Sequence, residues 1–452
     1  MIFSKPSTLA TLATLGALVQ DGFAAQQPLP ILKDFDETGV LGGLYRPNVT
    51  SERSRLGIYV MHAEQDYTTF VACTALQERG FTVFCANNEA SKSGYMSDLN
   101  FEDMMTQAST GLTWLRNQSY IDKTVILGHS GGGAMMAAYQ NIAENGASAC
   151  NGPEKIYPCS DSMNDLTPAD GLMLLDANYG ISTMGFLSLN PAILDENNSH
   201  KQNYSLSVWN PANGFSNNTQ CNYTADFRSR FQKAVVARNN RILKHAQTRL
   251  KAIEAGEGMF SDDEPFTIPS ALYLGPNNLI INQDVRTLHH TTYPWTLLEK
   301  NGTTKQIIPS VRVPSGWTDI SESWEEAAVK TTIRRYLSTL AIRANDNFTI
   351  QADGFTGIDF DSTQMAPVSS IKGVSVPLLN MGMTGHYEYL NAEKIHLAAV
   401  KSNDTAIAFV QGAEHTINTC IECESYPGEF GNTVVTCFNY VADWLSKSGR
   451  FI

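Results

Sequence analysis

The feature that most constrains this chain is a strand, a sharp turn and a helix within Lys123–Tyr139, which reads KTVILGHSGGGAMMAAY. The apolar run Thr124–Leu127 predicts a buried strand, and the Ala- and Met-rich residues after Gly132 predict a buried helix. The turn between them is Gly-His-Ser-Gly-Gly. Because its glycines let strand and helix approach closely, we expect the Ser130 hydroxyl to stand exposed at the carboxyl edge of the strand.

A five-residue pattern is short, and the alternative interpretation of this stretch is an ordinary glycine-rich turn. Its place between a strand and a helix favours a nucleophilic Ser130. The first amides of the helix, beginning at Gly131, would then point at a bound carbonyl oxygen. On these residues the chain resembles the α/β-hydrolase superfamily, and most closely its secreted fungal esterase- or lipase-type members.

Strands and helices alternate on both sides of this turn, which predicts a mostly parallel central sheet with helices on both faces. The resemblance covers roughly Leu56–Asn178 and Val374–Ser446. Between these two parts the alternation stops. There, Asp226 to Ala255 predicts one long helix with an apolar stripe and a solvated basic face, and Ser321 to Ala344 predicts a second helix.

The predicted organisation has four segments. Residues 1–25 read as a signal peptide, with Lys5, an apolar run too short to span a bilayer and small residues before Gln26. Residues 26–178 and 346–452 form the two parts of an α/β-hydrolase core. Residues 179–345 are inserted where members of the superfamily usually carry a cap over the active site, so the resemblance implies a large inserted cap.

Composition and motifs predict a soluble, secreted glycoprotein. The net charge of −13 argues against nucleic acid or an anionic membrane as partner, and no later stretch reaches membrane-spanning length. The oligomeric state is open. Eight cysteines allow up to four disulfides, with Cys420–Cys423 more typical of a bridge than of a metal or redox site. Glycosylation sequons begin at Asn48, Asn117, Asn197, Asn203, Asn217, Asn222, Asn301, Asn347 and Asn403.

A nucleophilic serine needs a base and an acid that orients the base. His415 lies in Gly-x-x-His directly after the last predicted strand, in the superfamily's chain order, and is the predicted base. The acid stays open between Asp176, at the end of the strand after the turn, Glu388, in the loop after a later strand, and another residue such as Asp359. By the same resemblance, the amides of Gly131 and Glu64 form the oxyanion hole.

These residues predict hydrolysis of a small-molecule carboxylic ester through an acyl-enzyme, a reaction that needs no metal or organic cofactor. A serine peptidase of the same superfamily is the first alternative. A non-catalytic binding module on a hydrolase scaffold is the second. The presence of both Ser130 and His415 argues against the second alternative, because such modules typically lose one of them.

Overall fold

The protein is described here by a computed structural model. It describes residues 28–36, 38–92, 99–216, 220–271, 276–314 and 328–452. The predicted signal peptide, residues 1–25, and the first part of the helix predicted from Ser321 lie outside the described residues.

The elements follow each other in an α/β alternation that is interrupted after β6. The strands are Ile31–Phe35 (β1), Val40–Tyr45 (β2), Leu56–Met61 (β3), Thr82–Asn87 (β4), Lys123–His129 (β5), Gly171–Leu175 (β6), Pro265–Pro269 (β7), His290–Glu299 (β8), Gly302–Pro309 (β9), Ala328–Thr332 (β10), Arg343–Ile350 (β11), Phe355–Asp359 (β12), Leu378–Met383 (β13) and Thr405–Val410 (β14). The helices are Val71–Glu78 (α1), Phe101–Arg116 (α2), Gly131–Asn145 (α3), Ile181–Leu187 (α4), Ala225–Glu254 (α5), Pro276–Gln283 (α6), Ile333–Arg335 (α7), Pro367–Ser370 (α8), Asn391–Ala398 (α9) and Thr433–Leu445 (α10).

One large sheet organises these elements, in the order β1-β2-β4-β3-β5-β6-β13-β14-β8-β9. The seven strands from β4 to β8 in this order are parallel, while β2 pairs with β4 in the antiparallel sense. The antiparallel hairpins of β1 with β2 and of β8 with β9 lie at the two edges of the sheet. This is the mostly parallel arrangement of the α/β-hydrolase fold that the sequence predicts.

Helices cover both faces of the sheet, as the side-chain alternation of a strand requires. On β5, Val125 and Leu127 pack in a cluster with α1 and α10, whereas Ile126 packs on the other face with α2, α3 and α9. All three side chains are fully buried. The apolar run Val125–Leu127 is therefore buried on both faces of the sheet, and the carboxyl end of β5 is fixed within the sheet.

The segment predicted as a cap, residues 179–345, differs from the expectation in one respect. Strands β8 and β9 lie in this segment, yet they join the main sheet beside β14. The run His-Thr-Thr-Tyr-Pro-Trp-Thr that opens β8 is rich in β-branched and aromatic residues, which favour a strand. Residues 179–345 therefore supply two strands to the main sheet as well as the elements around α5.

The long helix predicted here is present as α5, with Thr224 capping its first turn by accepting the N–H of Phe227. Its basic face is not wholly solvated, contrary to the prediction. Arg238 is fully buried and pairs with Glu196 at 2.7 Å, and it also donates to the carbonyl oxygens of Asn190 and Ser270. A buried guanidinium needs such partners, and together they fix α5 against the chain that follows β6.

The helix predicted from Ser321 to Ala344 is wrong over its described part. Ala328–Thr332 forms β10, which pairs with β7, and Arg343 begins β11. Only a short helical stretch, Ile333 to Leu340, lies between these strands. The β-branched residues Val329, Thr331 and Thr332 account for the strand, because they pack well on a pleated surface.

Three disulfides link residues at or near the main sheet, and the first of them joins α1 to β4. They link Cys73 to Cys85, Cys150 to Cys159, and Cys420 to Cys423. The last pair is the bridge that the sequence favoured over a metal site. Cys221 and Cys437 are buried free thiols, so the even number of cysteines does not give four bridges.

The close approach of β5 and α3 gives a test of the fold. A Cβ at Gly128 would lie 2.6 Å from the carbonyl oxygen of Gly132 and 2.8 Å from the Cα of Gly133. We expect Gly128→Ala to lower the free energy of unfolding by about 2–3 kcal/mol, because backbone atoms would have to separate. Urea-induced unfolding measures this loss.

Gly57→Ala is the matched control for that variant. Gly57 is also buried in the sheet, but a Cβ there would meet the side chains of Leu115 at 3.1 Å and Ile121 at 3.2 Å. Side chains adjust more easily than backbone, so we expect a loss of about 1 kcal/mol or less. Equal losses in the two variants would contradict the role given to the approach of β5 and α3.

Candidate active site

Ser130 occupies the turn between β5 and α3 in a strained backbone conformation. Its φ is 55° and its ψ is −128°, a combination that costs an L-residue about 1–3 kcal/mol. The residue is only 7% exposed. Strain at this point is sustained by the packing of the turn, and it holds the hydroxyl at the carboxyl edge of the sheet.

Ser130, His415 and Asp176 form a continuous chain of hydrogen bonds. The Ser130 Oγ lies 2.8 Å from His415 Nε2, and His415 Nδ1 lies 2.7 Å from Asp176 Oδ2. These residues come from the turn after β5, the loop after β14 and the end of β6. Their order is that of a nucleophile, a base and an orienting acid.

Asp176 is held rigidly in its place. It is fully buried, has a φ of 44°, and its Oδ1 accepts the N–H of Met383 at 2.9 Å. Burial acts to raise the pKa of Asp176, but hydrogen bonds from His386 and His415 outweigh it and lower the pKa to about 2. The carboxylate is therefore ionised when it accepts the His415 Nδ1–H, which fixes the proton of neutral His415 on Nδ1.

Glu388, the other strong candidate for the acid, lies on the opposite side of the imidazole. Its Oε2 is 3.5 Å from His415 Nε2, the nitrogen that faces Ser130, and has no hydrogen-bond partner among the described residues. Burial raises the pKa of Glu388 to about 7, with His415 opposing and Asp176 adding to the shift. Its position is that of a charge beside the base rather than of the orienting acid. Asp359, the third candidate, pairs instead with Arg343 at 3.2 Å.

The ring of His129 contacts the backbone of His415, which the sequence does not predict. Its Nε2–H donates to the backbone carbonyl of His415 at 2.6 Å, and its Nδ1 accepts the hydroxyl of Tyr67 at 2.5 Å. Burial lowers the pKa of His129 to about 3, so the ring is neutral, as this pair of bonds requires. Its place in the Gly-His-Ser-Gly turn is the only sequence signal for this contact.

The two predicted oxyanion donors have different surroundings. Gly131 is the first residue of α3, where the backbone N–H has no carbonyl in its own helix to pair with. The amide of Glu64, by contrast, donates to His62 Nδ1 at 3.1 Å. The structure therefore differs from the prediction for Glu64, because the ring of His62 accepts the N–H that was expected to face the substrate.

Four side chains at the site also have the donor atoms of a metal-binding group. The candidate ligand atoms of Asp176, His386, Glu388 and His415 all lie within 4.8 Å of one another. Two of these four side chains, Asp176 and His415, are already joined by the hydrogen bond that orients the His415 ring. An ion bound here would therefore compete with the arrangement of Ser130 and His415 described above.

Comparison with known proteins gives similarity of structure only. No family model and no curated protein matches the sequence. Solved structures match along most of the chain. The siderophore hydrolase EstB from Aspergillus fumigatus is 13% identical, covers 94% of this chain and 98% of its own, and has a TM-score of 0.41.

Two further structures match over similar lengths. A soluble variant of monoglyceride lipase from Saccharomyces cerevisiae is 12% identical, covers 94% of this chain and 98% of its own, and has a TM-score of 0.39. A carboxyl esterase from Bacillus coagulans is 11% identical, with 94% and 99% coverage and the same TM-score. At such low identities and TM-scores, these similarities do not identify the substrate of this chain.

Replacing each of the two carboxylates near His415 should lower kcat by a very different factor. Asp176→Asn should lower kcat by about 10⁴-fold, because the imidazole loses the partner that sets its tautomer. Glu388→Gln should lower kcat by less than about tenfold, because it leaves the Asp176 bond in place. Asp359→Asn serves as the control and should match the wild type. A larger loss in Glu388→Gln than in Asp176→Asn would contradict this assignment.

The pH dependence gives a second expectation. Burial opposes protonation of His415, but Glu388 and Asp176 outweigh it and raise the pKa of His415 above its ordinary value. Since the base must be neutral, kcat/KM should fall as the pH drops through this raised pKa. Glu388→Gln removes one of the two carboxylates that raise this pKa, so its acid limb should lie at lower pH than that of the wild type. An unchanged acid limb would contradict this account.

Proposed function

We propose that the protein is a secreted serine hydrolase that cleaves small-molecule carboxylic esters through an acyl-enzyme. The observation that supports this most directly is the contact of 2.8 Å between Ser130 Oγ and His415 Nε2, with Asp176 on the other nitrogen. A serine hydroxyl is a weak nucleophile, and this arrangement activates it. A non-catalytic module would have no need for a strained Ser130 in contact with an oriented base.

In the proposed acylation, His415 Nε2 takes the proton of Ser130 as its Oγ bonds to the ester carbonyl carbon. The imidazolium that forms is stabilised by the ionised carboxylate of Asp176. Gly131 donates its amide to the oxyanion of the tetrahedral intermediate. The intermediate then collapses, the bond to the alcohol oxygen breaks, and His415 returns its proton to the departing alcohol.

Deacylation uses the same groups in the reverse order. His415 takes a proton from water as the water oxygen bonds to the acyl carbon. The bond from that carbon to Ser130 Oγ then breaks, and the proton passes back to Ser130. The products are the free acid and the regenerated enzyme, so no oxidant, reductant or further co-substrate enters the balance.

The side chains of this site are largely buried. Ser130 is 7% exposed and the His415 side chain is 25% exposed, while Asp176 and Glu388 are fully buried or nearly so. In this proposal the part of residues 179–345 outside β8 and β9 acts as the cap that selects the acyl and alcohol groups. The three disulfides support secretion. Among the described residues, no helix is long and apolar enough to cross a membrane.

The proposed function is tested with p-nitrophenyl esters of increasing acyl length and with matching p-nitroanilides. We expect ester hydrolysis by the wild type and a fall in kcat of about 10⁶-fold in Ser130→Ala, because the covalent step is lost. Equal ester hydrolysis by both proteins would refute the mechanism. Hydrolysis of the anilides without hydrolysis of the esters would favour the peptidase alternative.

A further inference from the structure

His62, the residue after β3, has its proton on one defined nitrogen. Its Nδ1 accepts backbone N–H bonds from Glu64 at 3.1 Å and from Gln65 at 3.0 Å. A nitrogen that accepts these bonds carries no proton. Burial, together with the nearby His129 and His415, lowers the pKa of His62 well below its ordinary value, so the ring is neutral. Its single proton therefore lies on Nε2.

This Nε2–H is a buried donor that no described residue accepts. The residue is 1% exposed, and Nε2 has no hydrogen-bond partner among the described residues. A buried donor without an acceptor is costly to a folded protein, and a catalytic role is one of the recognised explanations for such a group. The other nitrogen and the stacking of the ring on Tyr67, with centroids 4.6 Å apart, fix the direction of this donor.

The donor edge of the ring lies against the residue that follows the nucleophile. A Cβ at Gly131 would lie 3.2 Å from both Cε1 and Nε2 of His62. A side chain at this position would therefore crowd the ring. The edge that bears Nε2–H therefore borders the same turn as the Gly131 amide, next to Ser130.

We propose that His62 is a catalytic residue whose Nε2–H donates a hydrogen bond to the oxyanion of the tetrahedral intermediate. This inference rests on the proposed function, and it replaces the amide of Glu64 as the second oxyanion donor. The Glu64 and Gln65 amides act through the ring, because their bonds to Nδ1 keep the proton on Nε2. The bond to substrate strengthens as charge develops on the carbonyl oxygen, so it accelerates the reaction rather than only binding the ester.

Two substitutions separate a catalytic from a structural role. In His62→Asn, the side-chain oxygen takes the position of Nδ1 and still accepts the Glu64 and Gln65 amides, but the donor at Nε2 is lost. In His62→Gln, the side-chain nitrogen restores a donor near the Nε2 position, but the acceptor at Nδ1 is lost. Thermal unfolding of both variants shows whether each is folded.

We expect His62→Asn to lower kcat by about 10²–10³-fold with little change in KM. The affinity for a trifluoromethyl ketone, which forms an oxyanion adduct with the serine, should fall by the same factor as kcat/KM. His62→Gln should be at least about tenfold faster than His62→Asn. A His62→Asn variant within about threefold of the wild type would overturn the proposal, and so would equal losses in the two variants.

A measurement on the wild type covers the case in which a variant does not fold. With ¹⁵N-labelled histidine, the Nε2–H of His62 should move downfield when the trifluoromethyl ketone binds, and an unmoved signal would overturn the proposal. The Ser130→Ala variant separates a failure of the role given to His62 from a failure of the proposed function. Ester hydrolysis lost in Ser130→Ala but normal in His62→Asn refutes only the role of His62, whereas hydrolysis retained in Ser130→Ala refutes the proposed function as well.

Discussion

The backbone bend at Ser130 is the constraint on which the rest of the structure depends. Its carbonyl oxygen accepts the N–H of Gly133 at 3.0 Å and that of Asn178 at 3.1 Å, which ties α3 and the end of β6 to the end of β5. A Cβ at Gly132 would lie 2.6 Å from the carbonyl oxygen of Met61, the last residue of β3. Three strand ends therefore meet at one turn, and the polar groups that follow them have little freedom.

The electrostatics of the site follow from this close packing. Burial lowers the pKa values of His62, His129 and His386, and keeps these rings neutral near pH 7. His415 differs, because Asp176 and Glu388 outweigh the effect of burial and raise its pKa. A group of four imidazoles therefore contains one that is set to accept a proton. The other three serve as directed donors and acceptors whose roles depend on their tautomers.

Local sequence patterns predicted the sheet and the places of Ser130 and His415, because strand, turn and helix signals are short-range. They leave the acid open between Asp176, Glu388 and another residue such as Asp359. In the structure, Asp176 and Glu388 lie near different nitrogens of the His415 ring. The orientation of that ring depends on the bond from His129 to the backbone of His415, 286 residues away in the chain. No local pattern contains this information. Likewise, the position of Glu64 in the chain does not reveal that the ring of His62 accepts its amide N–H.

The hairpin of β8 and β9 has a consequence for the architecture of the insertion. Strand β14 leads directly into the loop with His415, and β8 covers the side of β14 that would otherwise be the open margin of the sheet. Excising residues 179–345 as one exchangeable module would leave this strand with unpaired backbone groups. A graft that replaces residues 179–345 must therefore retain His290–Pro309, so the breakpoints for such a recombination lie inside this range and not at its ends.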